Sequence, residues 1–124
     1  MTEPTATAPL IVLTTLPDPA SAQALAAALV EGGLAACVNV LAPCTSVYRW
    51  QGRLETAAEV PLLIKTTRAA YAALEAQIRA RHPYELPEIV AVPVERGLPA
   101  YLDWVHANAA PPLPPPARSA PSAE

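Results

Sequence analysis

His82 opens the stretch HPYELPE (82–88), with Glu85 and Glu88 three and six residues on. An imidazole and two carboxylates at this spacing could share a divalent cation. Neutral imidazole is a good ligand for copper or zinc, and carboxylates can complete such a shell. His82 and Glu85 are the best candidate pair for a weakly held Cu(II) or another divalent cation. The same residues also read as a turn between a helix and a strand. Pro83 and Pro87 would fix the direction of the chain, and His82 would cap carbonyls at the helix end. The turn reading also explains the two prolines, which a metal site alone does not.

The other chemistry-bearing residues are scattered. Asp103 and His106 lie three apart on an expected helix; they could share a metal or form an ordinary solvated face. Lys65 is the only lysine. It could bind an anion or act as a base, but pairing with Glu55 or Glu59 across a hairpin is its expected role. Cys37 and Cys44 are too few for a disulfide framework. On one regular strand they would stand roughly 20 Å apart, at about 3.3 Å per residue, which excludes a bridge between them. There is no nucleophile elbow, no phosphate-cradling glycine loop and no zinc-type cysteine pairing. No catalytic residue is assigned and an enzyme is not expected.

These residues need elements to position them. LIVLTTL (10–16) is a continuous apolar run and reads as a buried strand. A helix follows, with Asp18 as N-cap, Pro19 at its first position, Ala22, Leu25, Ala26 and Leu29 as its apolar stripe, and Gly32 or Gly33 at its end. Segments 35–50 and 53–67 read as a long β-hairpin turning at Gln51-Gly52, with irregularities at Pro43 and Pro61. A second helix is expected over 68–81, capped by Thr67 and stopped before Pro83. PEIVAVPV (87–94) reads as an edge strand, because Pro93 cannot donate to a ladder. A last helix is expected over 97–109, with Leu98, Leu102 and Val105 on its apolar side. Tyr48, Trp50, Tyr84, Tyr101 and Trp104 form the expected aromatic packing set, in the core or at subunit interfaces.

The order is β-α-β-β-α-β plus a terminal helix, an α+β ferredoxin-like arrangement. The hairpin strands are too long for a compact subunit. About 14 residues span roughly 45 Å, against a radius of gyration near 13 Å for a domain of about 100 residues. Part of the hairpin should project and pair with a symmetry mate.

The 124 residues carry a net charge of −3, and the eight basic residues do not cluster. A nucleic-acid surface is therefore not expected. Residues 1–9 and the Pro/Ala-rich 109–124 offer little to bury and are expected to be disordered, leaving 10–108 as one domain. No run is long enough to span a bilayer and the N-terminus lacks a signal-peptide pattern, so a cytoplasmic location is the expectation.

Several segments together, LTTLPD (13–18), LAACVNV (34–40), SVYRWQGRLE (46–55), LIKTT (63–67), HPYELPEIV (82–90) and YLDWV (101–105), resemble the CutA divalent-cation tolerance family in order and spacing. The resemblance spans about residues 10–108. It implies a PII-like ferredoxin-fold homotrimer, a response to metal ions, and proposed copper binding in some members, with no established reaction. Copper-binding members can carry a cysteine where this chain has Thr14, so the resemblance implies a site of N and O ligands here. Cys37 stands where the family commonly has its cysteine, and Cys44 where a glycine is more usual. The resemblance also suggests an alternative function, a sensor that binds a small anionic ligand at intersubunit clefts and signals to an unidentified partner.

Overall fold

The computed structural model describes residues 7–110. Of the segments expected to be disordered, 1–6 and 111–124 lie outside the described residues. Their inner ends move into the domain: Pro9 begins the first strand, and Ala109 is fully buried. The elements are β1 (Pro9–Leu16), α1 (Pro19–Glu31), β2 (Cys37–Val40), β3 (Cys44–Trp50), β4 (Arg53–Thr67), α2 (Arg68–Arg81), β5 (Val90–Pro93) and α3 (Pro99–Asn108). All strand pairs are antiparallel, in the order β2-β4-β1-β5, with β3 continuing the pairing of β2 along β4. This is the ferredoxin-like βαββαβ fold, with its second strand broken in two and a helix added at the end.

The caps explain the helix limits. The Asp18 side chain accepts from the Ser21 backbone N–H, and Pro19 starts α1 where its missing donor costs nothing. Thr67 caps α2 in the same way, accepting from Ala70. On β1 and β4, alternate residues enter the core. Leu10, Val12, Thr14 and Leu16 lie opposite Thr66, Ile64, Leu62 and Val60, and all eight are buried. Leu25 and Leu29 of α1 and Leu74 and Ile78 of α2 complete the cluster. α3 departs from its expected stripe. Only Val105 is buried within it, and Leu98, the N-cap, is exposed. The Leu98 carbonyl accepts from Tyr101 and Leu102, so its backbone is used while its side chain is not.

Pro61, expected to interrupt its strand, sits inside a continuous β4. Its carbonyl accepts from Leu41, so its missing N–H would have pointed to the same side. That is where the pairing passes from β2 to β3, and β4 continues unbroken through it. Pro43 does mark an irregularity. Val40 pairs with Leu62 and Cys44 with Glu59, so three residues (41–43) oppose two (60–61). This is a β-bulge, and it shifts the pairing by one residue. At the hairpin tip Gln51 and Gly52 both have positive φ (48° and 79°), the form of a tight two-residue turn.

Beyond Val60 the partners of β4 run out on one side. β1 ends at Leu16, opposite Val60, so residues 53–59 pair with β3 alone. A two-stranded ribbon therefore overhangs the sheet by roughly 23 Å, at about 3.3 Å per residue.

Candidate functional site

A large cleft lies between this ribbon and the segment that follows α2. Its volume is about 990 Å³, and its walls include Tyr48, Trp50 and Glu59 on one side and Tyr84, Glu85 and Glu88 on the other. The register explains the ribbon wall. Tyr48, Trp50 and Glu59 share one face of β3–β4, opposite the face on which Val60, Leu62 and Ile64 meet the helices.

Glu59 is the centre of the arrangement. It is only 9% exposed. Its Oε2 accepts from the Thr15 hydroxyl at 3.1 Å and the Tyr84 hydroxyl at 3.0 Å. Three distant segments, the end of β1, the base of the ribbon and the segment after α2, thus meet on one carboxylate oxygen. The hydroxyls supply the hydrogen bonds that make a buried carboxylate tolerable. The Tyr84 phenol is pushed up to about 12, first by burial and then by the Glu59 carboxylate beside it. It therefore stays protonated and donating at neutral pH.

The structure gives the candidate pair His82 and Glu85 different surroundings. His82 is buried, and both of its ring nitrogens are occupied within the chain. The Tyr84 backbone N–H donates to Nδ1 at 3.1 Å, which leaves the proton on Nε2 to be donated to the Thr15 carbonyl at 2.7 Å. A metal at His82 would have to displace one of these bonds. His82 does end α2, but its backbone N–H, donating to Ile78, is the group that caps it; the ring crosses to β1. Its role is to tie the segment after α2 to the end of β1 and so to hold Tyr84 over Glu59. Glu85 and Glu88 are exposed and belong to the cleft without His82.

The remaining candidates lie elsewhere. Lys65 donates to the Asn39 side chain across β2–β4 instead of pairing with Glu55 or Glu59. Asp103 and His106 are on the exposed side of α3. Tyr101 and Trp104 stack against each other at 5.6 Å on the same helix and remain partly exposed, away from the cleft. Cys37 and Cys44 are free thiols, Cys44 exposed. Thr14 faces the core, its hydroxyl buried and without a hydrogen-bond partner among the described residues.

Among the described residues no three His, Cys, Asp or Glu side chains converge as a metal-binding group. One chain therefore supplies separated carboxylates around a cleft, not a closed coordination shell. Thr15 and Glu59 were not foreseen as parts of one site. A charged residue within the apolar run AAEVPLL (57–63) was the available signal.

Comparison with known proteins is consistent with this geometry. A family model described as CutA1 divalent ion tolerance protein matches residues 10–108. The Divalent-cation tolerance protein CutA of Thermus thermophilus is 48% identical over 98 residues, covering 79% of this chain and 95% of the relative. A solved structure of the divalent cation tolerance protein from Thermus thermophilus superposes with a TM-score of 0.81 at 46% identity, covering 82% of this chain and 99% of the other. A structure described as the periplasmic divalent cation tolerance protein CutA from Archaeoglobus fulgidus gives 0.79 at 36% identity, covering 82% and 98%. No helix among the described residues is long and apolar enough to cross a membrane.

Proposed function

Because the chain belongs to the CutA1 divalent ion tolerance family, we propose that it serves divalent-cation tolerance as a homotrimeric binding protein whose cleft takes cations weakly and exchangeably. The observation that carries this reading is the charge of the cleft. Glu59, Glu85 and Glu88 line it, and among the described residues no lysine, arginine or histidine does. Such a site gathers cations and repels anions. With both His82 nitrogens engaged, the donors that remain are oxygens. Oxygen donors suit hard divalent cations at least as well as Cu(II), and they give copper no soft ligand. The alternative, a sensor for a small anionic ligand, gains nothing from this lining.

The assembly rests on the ribbon. Among the described residues, 44–59 have no partner strand beyond each other, and Val47 and Leu54 are 63% and 77% exposed. Unpaired edges and bare apolar side chains of this kind are covered in stable proteins. The edge strand β5 offers Val90 and Val92, also exposed. Copies of the chain are the occupants that symmetry makes available. In this reading the protein binds and responds; it catalyses no reaction. Its free thiols suit the reducing cytoplasm.

Titration calorimetry with Cu(II), Zn(II) and Mg(II), and with a nucleoside triphosphate as the anionic arm, tests the cleft. Weak saturable binding of cations, lost when Glu85→Gln and Glu88→Gln are combined, is expected. Tighter binding of the nucleotide than of any cation would overturn the reading. Light scattering showing a folded monomer at micromolar concentration would remove the trimer.

A further inference from the structure

Four features of the cleft do not suit a bare metal ion. The carboxylates are dispersed, because no three ligating side chains converge among the described residues. The ribbon wall carries Tyr48 and Trp50, both more than a third exposed. A volume of about 990 Å³ is far larger than an ion needs, and it lies at the upper end of the range that small organic ligands fill. Finally, Glu59 is nine-tenths buried, and both hydroxyls that reach it donate to Oε2. Its Oε1 accepts no hydrogen bond among the described residues, although Glu59 lines the cleft. A carboxylate oxygen that is held in place by the bonds to its twin, opens on the cleft and has its lone pairs unused is a prepared acceptor for a charged donor.

We infer that this cleft binds an organic cation, an alkylammonium or guanidinium head on an apolar body. The head sits at Glu59 Oε1. Glu85 and Glu88 attract it from the rim, and the rings of Tyr48 and Trp50 take the body and the diffuse charge. Aromatic faces attract cations through their quadrupole, most strongly where water is excluded. A metal ion, by contrast, would have to shed strongly held water for ligands that do not surround it. An anion meets three carboxylates. A neutral apolar molecule could touch the rings but would leave Oε1 without its donor. The inference rests on the cation-favouring reading of the cleft, and it names a different class of cation from the metal.

The test uses the full-length protein carrying Trp104→Phe, which leaves Trp50 as the only tryptophan. Trp50 fluorescence is followed during titration with n-hexylammonium and with agmatine. Hexanol, hexanoate and Mg(II) serve as comparison arms, and light scattering checks that assembly is unchanged. Saturable responses to the two organic cations are expected, with none from hexanol or hexanoate at the same concentrations. Glu59→Gln should weaken binding at least ten-fold. As that change could disturb the Thr15 and Tyr84 contacts, Tyr48→Leu provides a second variant, with binding roughly three-fold weaker. Adding salt should weaken the response, most of all through Glu85 and Glu88 at the rim.

An equal response to hexanol would make this an apolar cleft and overturn the inference. So would the absence of saturation, or displacement of hexylammonium by Mg(II) at equal or lower concentration. Organic cations failing where metals bind would sink this inference alone and leave the metal-tolerance reading standing. The reverse result would sink the metal site and leave the organic one.

Discussion

The two halves of β4 are one strand in two environments. From Val60 to Thr66 every second side chain is sealed against the helices, at 2% exposure or less. From Arg53 to Ala58 nothing is buried, and Leu54 is 77% exposed. Composition alone does not decide it: the inner half has four bulky aliphatic residues and the outer half only Leu54, yet that leucine is exposed. What differs is what lies above. The inner half is flanked by two strands and covered by two helices. The outer half has one partner strand and no cover. The inner half thus makes the fold of the subunit, and the outer half is left to make contacts and to wall the cleft.

The sharpest break of this contrast is Leu62→Ala. Leu62 is fully buried in the main cluster, so the substitution should cost roughly 2–5 kcal/mol of unfolding free energy, read by denaturant titration. Leu54→Asp on the outer half should leave the fold of the subunit intact. It should weaken the proposed trimer by about 2 kcal/mol or more if Leu54 is central to the contact, which sedimentation at several concentrations would show. Equal loss of subunit stability in the two variants would erase the distinction between the halves.

His82→Ala comes next. Removing the ring leaves the Thr15 carbonyl and the Tyr84 N–H without partners, at a cost of about 1–3 kcal/mol. Metal titrations of this variant should match the wild type. Loss of cation binding together with an undiminished melting temperature would restore His82 as a ligand.

Tyr84→Phe tests the join between the halves by pH. The folded protein holds the phenol proton up to about 12, above its ordinary value of 10. The stabilisation linked to that proton is fully present below pH 10 and is lost as pH rises towards 12. The wild type should lose stability through this window by denaturant titration, and the variant should show a flatter slope there. The smallest effect expected is Thr14→Val. It removes a buried hydroxyl that has no partner and should stabilise the protein by up to about 1 kcal/mol, seen as a small rise in melting temperature.

What was legible in the sequence follows local rules. Asp18 and Thr67 cap the helices expected of them, and the α1 stripe Ala22, Leu25, Ala26 and Leu29 is the set that is buried. Pro93 lies on an edge strand, where its lack of a donor is harmless. What was not legible depends on residues far apart in the chain. The His82 ring meets a carbonyl 67 residues away. Glu59 meets a hydroxyl 44 residues away and another 25 residues away. A histidine flanked by glutamates reads as a ligand until both nitrogens are seen to be engaged. Pro61 read as a break because the transition between β2 and β3 opposite it could not be placed from periodicity. The α3 stripe held in part: Val105 is buried and Leu102 half-buried where the helix meets β1 and β4, while Leu98, at the N-cap, stays exposed.

The bulge at residues 41–43 works as a phase shifter. If all its residues were kept and the bulge were ironed out, β3 would slide by one position along β4 and every side chain would change faces. Tyr48 and Trp50 would then turn to the far side of the ribbon, and Val47 and Arg49 would replace them in the cleft. The cleft would lose its aromatic wall and receive a positive charge beside Glu59. Deleting Ala42 would instead remove the bulge and set two residues against two, so Cys44 would still meet Glu59, and Tyr48 and Trp50 would keep the cleft face. The extra residue and the bulge that absorbs it act as a pair, and only a change in one without the other would give the cleft a different chemical identity.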